Sequence, residues 1–139
     1  MKNLVSILIA IHGLSISLRS QDSTLTAEVT FVANEGFLIS CQSKKVLIDA
    51  LYTSALSQLI SPTRDVIQKI ESTLPPFDNI NLIGVTHIHE DHYNRNTLGK
   101  YLKNDPQALL VCLNSIYNSF KGYSDLLLSK IIFYFGQHF

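Results

Sequence analysis

Tryptophan is absent from these 139 residues, methionine occurs once and cysteine twice. So few thiols exclude a small scaffold held together by a dense disulfide framework. Net charge is absent too: eleven Lys and Arg balance eleven Asp and Glu, with no local basic run. A chain without a positive field has little to gather nucleic acid or an anionic membrane surface, so neither partner is expected. No apolar run reaches the ~20 residues that a membrane-spanning helix needs. Internal repeats and low-complexity stretches are also missing. What remains is a chain of one-domain length whose 46% apolar content suffices for a packed core.

The N-terminus differs from the rest. Lys2 precedes an apolar stretch from Leu4 to Leu18 that is interrupted by His12, and small residues occur at Ser15, Ser17 and Ser20. This is the pattern of a secretory signal peptide over residues 1–20, cleaved between Ser17 and Gln21, and it predicts an exported protein, periplasmic or secreted. A buried first strand or helix is the alternative. With no cysteine near the cleavage point, a lipid anchor is not expected, and the mature form has no predicted membrane contact. Cys41 and Cys112 lie in apolar, strand-like runs and are expected as two buried thiols, although export would permit a bridge.

Beyond the leader, Leu25 to Ala33 is rich in β-formers and is followed by Asn34-Glu35-Gly36, a hairpin turn signal. Phe37 to Cys41 and Val46 to Asp49 extend this into an antiparallel meander with a polar break at residues 42–45. Apolar residues at Val66, Ile67, Ile70 and Leu74 then recur at helical spacing, which predicts a helix between Ser61 and Leu74, before Pro75-Pro76. A buried strand is expected from Ile80 to Thr86, a helix from Arg95 to Lys103, a strand from Gln107 to Leu113 and a short helix from Ser115 to Lys121, stopped by Gly122. The segment from Leu126 to Phe139 is strongly apolar and carries no capping signal; left exposed, it would promote self-association.

Chemistry concentrates in Thr86-His87-Ile88-His89-Glu90-Asp91-His92, which holds three of the five histidines within six residues, beside an aspartate. Imidazole nitrogen and carboxylate oxygen are zinc ligands. If the strand runs on, its period of two puts His87 and His89 on one side to share an ion, and the turn after them presents Asp91 and His92 to a second. Asp91 is also placed to orient or deprotonate a metal-activated water.

This segment resembles the His-x-His-x-Asp-His signature of the metallo-β-lactamase superfamily, and its context is similar: a meander ending in Val46-Leu47-Ile48-Asp49, a buried strand ahead of the signature and a helix behind it. The resemblance spans about Val29 to Lys121. It implies an α+β fold, part of an αββα sandwich in which a β-meander is followed by alternating strands and helices. It also implies that His87 and His89 bind one Zn2+, that Asp91 and His92 bind another, and that Asp49 supports the site from behind the ligands. A complete family member adds a third histidine, a bridging aspartate and a last histidine from a second αβ half. After His92 this chain holds one more histidine, His138, and the aspartates Asp105 and Asp125. Residues 21–139 are therefore expected to form a truncated domain of this type. Two functions are implied: a zinc-dependent hydrolase cleaving an ester, amide or phosphoester bond of a small-molecule substrate, or an inactive remnant that binds zinc weakly or not at all.

Overall fold

A computed structural model describes residues 26–52 and 60–134. The expected leader, with His12, and the terminal His138 lie outside the described residues. Within them the chain is mixed α+β, a six-stranded mixed sheet with four helices.

Strands β1 (Ala27–Ala33), β2 (Gly36–Cys41) and β3 (Lys44–Ile48) form the expected antiparallel meander. Two-residue loops close both hairpins, with Asn34 at φ 43° and Gln42 at φ 54°. Positive φ at the loop positions suits the twist of the paired strands. Lys44 and Lys45 belong to β3 and not to the polar break expected there. A strand accommodates Lys45 because its ammonium finds distant partners: Nζ donates to Pro76 O at 2.8 Å and pairs with Asp78 Oδ1 at 2.7 Å. That contact holds the Asp78 carboxyl below its usual pKa.

From β3 onward the neighbours are parallel. Helix α1 (Arg64–Glu71) leads to β4 (Leu82–Val85), α2 (Arg95–Asn104) to β5 (Leu109–Leu113), and α3 (Asn114–Ser119) and α4 (Asp125–Leu128) to β6 (Ile131–Tyr134). Sheet order matches chain order, β1 to β6. Helix α1 begins later than expected because Thr63, not Ser61, caps it, its Oγ1 accepting from Val66 N at 3.3 Å. The described part of the apolar C-terminal run resolves into a single-turn helix and an edge strand, divided at Ser129-Lys130.

Side-chain alternation divides the sheet into two unlike faces. Leu38, Leu47, Ile83, Leu110 and Ile131 are successive partners across β2 to β6, and each is buried. They share one core with Ile70 of α1, Leu98, Tyr101 and Leu102 of α2, Ile116 of α3, and Leu127 of α4. All four helices thus serve one face. Tyr101 completes the packing by donating its buried hydroxyl to Phe77 O at 2.6 Å, and burial raises its phenol well above the ordinary value.

The opposite face is apolar yet uncovered by any of these helices. Val29, Ile39, Val46, Leu82 and Leu109 form one row across five strands; Phe31, Phe37, Ile48, Gly84, Val111 and Ile132 form the next. Both cysteines are free: Cys112 is buried in the helix-side core, where burial pushes its thiol up to about 11. Cys41 is only partly buried, a correction to the expected pair of buried thiols. Among the described residues no helix is long and apolar enough to cross a membrane.

Candidate metal centre

The site forms where β3 and β4 end side by side. Asp49 N donates to Gly84 O at 3.0 Å, extending the parallel ladder one residue beyond β3, and Asp49 then turns the chain at φ 45°. Aspartate is among the residues that tolerate this left-handed backbone. Its side chain, only 5% exposed, reaches across to Thr86: Oδ1 accepts from Thr86 N at 2.8 Å and Oδ2 from Thr86 Oγ1 at 2.5 Å. His92 Nδ1 lies 3.2 Å from the same Oδ2 and 3.4 Å from Thr86 Oγ1. Asp49 thus stands behind the His92 ring. A carboxylate behind Nδ1 fixes the ring and leaves Nε2 as the outward nitrogen, the arrangement common behind zinc-ligating histidines.

The histidine segment itself is a turn. Strand β4 stops at Val85, so His87 and His89 do not approach through strand alternation as expected. A bend does the work. His92 N and Tyr93 N both donate to His89 O, at 3.0 and 3.3 Å. The rings of His87 and His89 meet edge to face with centroids 4.1 Å apart, and those of His87 and His92 are 5.5 Å apart. His87 and His89 are exposed, whereas Asp91 and His92 are partly buried, with His92 Nε2 4.0 Å from Asp91 Oδ1.

Residues 93 and 94 anchor the far end of the turn. Tyr93 bridges in parallel to Leu51, and Asn94 N donates to Leu51 O. Asn94 then caps α2, its Oδ1 accepting from Asn96 N at 2.9 Å and Thr97 N at 3.2 Å. The cap satisfies N–H groups that the first helical turn leaves without partners. The turn is therefore held at one end by Asp49 and Thr86 and at the other by the start of α2.

Three residues without an assigned role in the sequence belong to this neighbourhood. Thr86 is the link between Asp49 and His92. Tyr52 is buried, donates to Ile60 O at 2.6 Å, and is pushed up to about 12 by burial, with Asp91 and Glu35 adding to the shift. Glu35 sits on the β1–β2 loop, so that loop faces the same end of the sheet. Gly36 lets the loop approach: a Cβ there would lie 2.9 Å from both Ala33 O and Ala50 Cα and 3.0 Å from Asp49 O. Gly36→Ala is expected to push the hairpin off residues 49–50 and cost roughly 1–3 kcal/mol through overpacking, measured by urea unfolding.

Three imidazoles and a carboxylate suit zinc by donor type. The side chains lie close together, although among the described residues no three His, Cys, Asp or Glu are arranged to hold an ion. No protein-family model matches the chain, and no curated protein is significantly similar to it.

Proposed function

We propose that this chain carries one side of a zinc-dependent hydrolase centre of the metallo-β-lactamase superfamily type, with His87, His89, Asp91 and His92 as ligands. The observation that supports this reading best is the buried Asp49 behind His92 Nδ1, since a solvated polar turn has no use for an orienting carboxylate drawn from 43 residues earlier in the chain. Zinc held there would supply a Lewis acid and an acidified water for attack on an ester, amide or phosphoester carbonyl or phosphoryl centre. Asp49 and Thr86 would hold the His92 ring, and Asp91, beside Nε2, would bind metal or accept a proton from the water. The finer fold assignment, one half of an αββα sandwich, belongs to this proposal; the helix-covered face and the bare face are consistent with it. Export through an N-terminal signal peptide stays part of the same reading.

The alternative is a remnant domain that binds zinc weakly or not at all and catalyses nothing. Elemental analysis and calorimetry on the purified chain separate the two. Fewer than two zinc ions per chain are expected, with poor hydrolysis of p-nitrophenyl acetate. Two tightly held ions, with turnover lost in His89→Ala, would overturn the remnant reading. Failure to bind any zinc at neutral pH would remove the metal centre altogether.

A further inference from the structure

Among the described residues, one face of the sheet is covered by no helix and is not used by the metal centre. Along its two central rows, five and six strands wide, every side chain is apolar apart from the hydrogen of Gly84. Val29 is 61% exposed, Phe31 51%, Phe37 37%, Leu109 42% and Ile132 54%. Taking ~150–200 Å² for a fully exposed large apolar side chain, these five leave roughly 450 Å² of apolar surface open. Partly exposed Ile39, Val46, Ile48, Leu82 and Val111 extend it. The face as a whole is thus at or above the ~300–600 Å² of the largest patch on an ordinary monomer, and approaches the ~800 Å² per partner of a stable interface.

We propose that this face is the interface between two copies of the chain, packed sheet to sheet about a two-fold axis. Three features select a second copy over other partners. The two rows carry no charge, so a charged peptide or an anionic lipid surface finds nothing there to pair with, whereas an identical apolar face is self-complementary. The face is a continuous six-stranded surface, and two such sheets pack aligned about 10 Å apart with their inner side chains interdigitated. Its area also approaches what a stable dimer requires, and a two-fold axis uses the same patch twice. Helices already cover the other face of each copy, so the dimer is layered helix, sheet, sheet, helix. The interface is independent of zinc.

Analytical ultracentrifugation of the full chain at micromolar concentration is expected to show a dimer. In the double variant Val29→Lys and Leu109→Lys, four buried charges enter one dimer, and the dissociation constant is expected to rise by roughly 100-fold or more with the far-ultraviolet circular dichroism unchanged. Leu126→Lys, on 75% exposed Leu126 of α4, is the control and should leave the dimer intact. Should the double variant lose its fold, hydroxyl-radical footprinting of the unaltered chain replaces it: labelling of Phe31 and Phe37 should fall as the concentration rises through the dissociation constant. A monomer up to about 100 µM overturns the proposal. So do polydisperse aggregates, a dimer that survives both lysines, or Phe31 and Phe37 labelling that does not depend on concentration.

Discussion

Asp49→Ala is expected to destabilise the protein by roughly 2–4 kcal/mol and to weaken zinc binding about 10–100-fold. Two effects add. The substitution removes the acceptor of Thr86 N and Thr86 Oγ1, hydrogen bonds of 2.8 and 2.5 Å to a side chain that is almost fully buried. Bonds to an ionised acceptor contribute about 1.5–3 kcal/mol, and the Thr86 hydroxyl can recover part of its loss by turning to water. Alanine must also hold φ 45° without the short polar side chain whose local hydrogen bonds let aspartate tolerate this region. Asp49→Asn separates the two: an amide keeps one acceptor and tolerates the left-handed backbone, so most of the stability should return. Zinc affinity should recover less, because the amide no longer places a charge behind His92 Nδ1. Urea unfolding and calorimetric zinc titration of the two variants read these quantities separately. A loss below about 0.5 kcal/mol in Asp49→Ala with unchanged zinc binding would reduce Asp49 to an ordinary strand-end acid.

Leu110→Ala and Leu109→Ala, adjacent on β5, are expected to differ by several kcal/mol in the monomer. Leu110 is fully buried between Ile83 and Ile131 in the central row of the helix-side core. Deleting its side chain leaves a cavity that the packed elements around it cannot close, at a cost of about 3–5 kcal/mol. Leu109 points to the open face and is 42% exposed, so its truncation should cost about 0.5 kcal/mol or less when the protein is diluted to monomer. At concentrations where two copies associate, Leu109→Ala should acquire a penalty of its own. Urea denaturation across a range of protein concentrations distinguishes these regimes, and equal costs at high dilution would contradict the two-faced sheet.

Local patterns revealed much of the scaffold. Leu98, Tyr101 and Leu102 at helical spacing marked α2 to within one residue, and the β-rich runs on either side of Asn34-Glu35-Gly36 marked the first hairpin, because each depends on residues close together in the chain. Boundaries slipped where a distant contact outweighed local preference. Lys45 is drawn into β3 because Pro76 and Asp78 receive its ammonium. Strand β4 ends before Thr86 because Thr86 gives its N–H to Asp49 instead of to a neighbouring strand. In the C-terminal run neither period stands out, and only pairing with β5 assigns residues 131–134 to a strand.

The same division holds for the site. The identity and crowding of the donors, His87, His89, Asp91 and His92, are properties of seven consecutive residues, as is their place before a helix, since ligand chemistry and turn length are local. That Asp49 lies under His92, and that Thr86 joins them though it stands 37 positions away from Asp49, both depend on the parallel pairing of β3 with β4. Sequence alone also determined that the strand from Ile80 to Thr86 would be buried. Only the tertiary structure decided that the four described helices all cover one side and leave the other bare, because which face a crossover helix covers depends on packing between elements and not on the composition of any one of them.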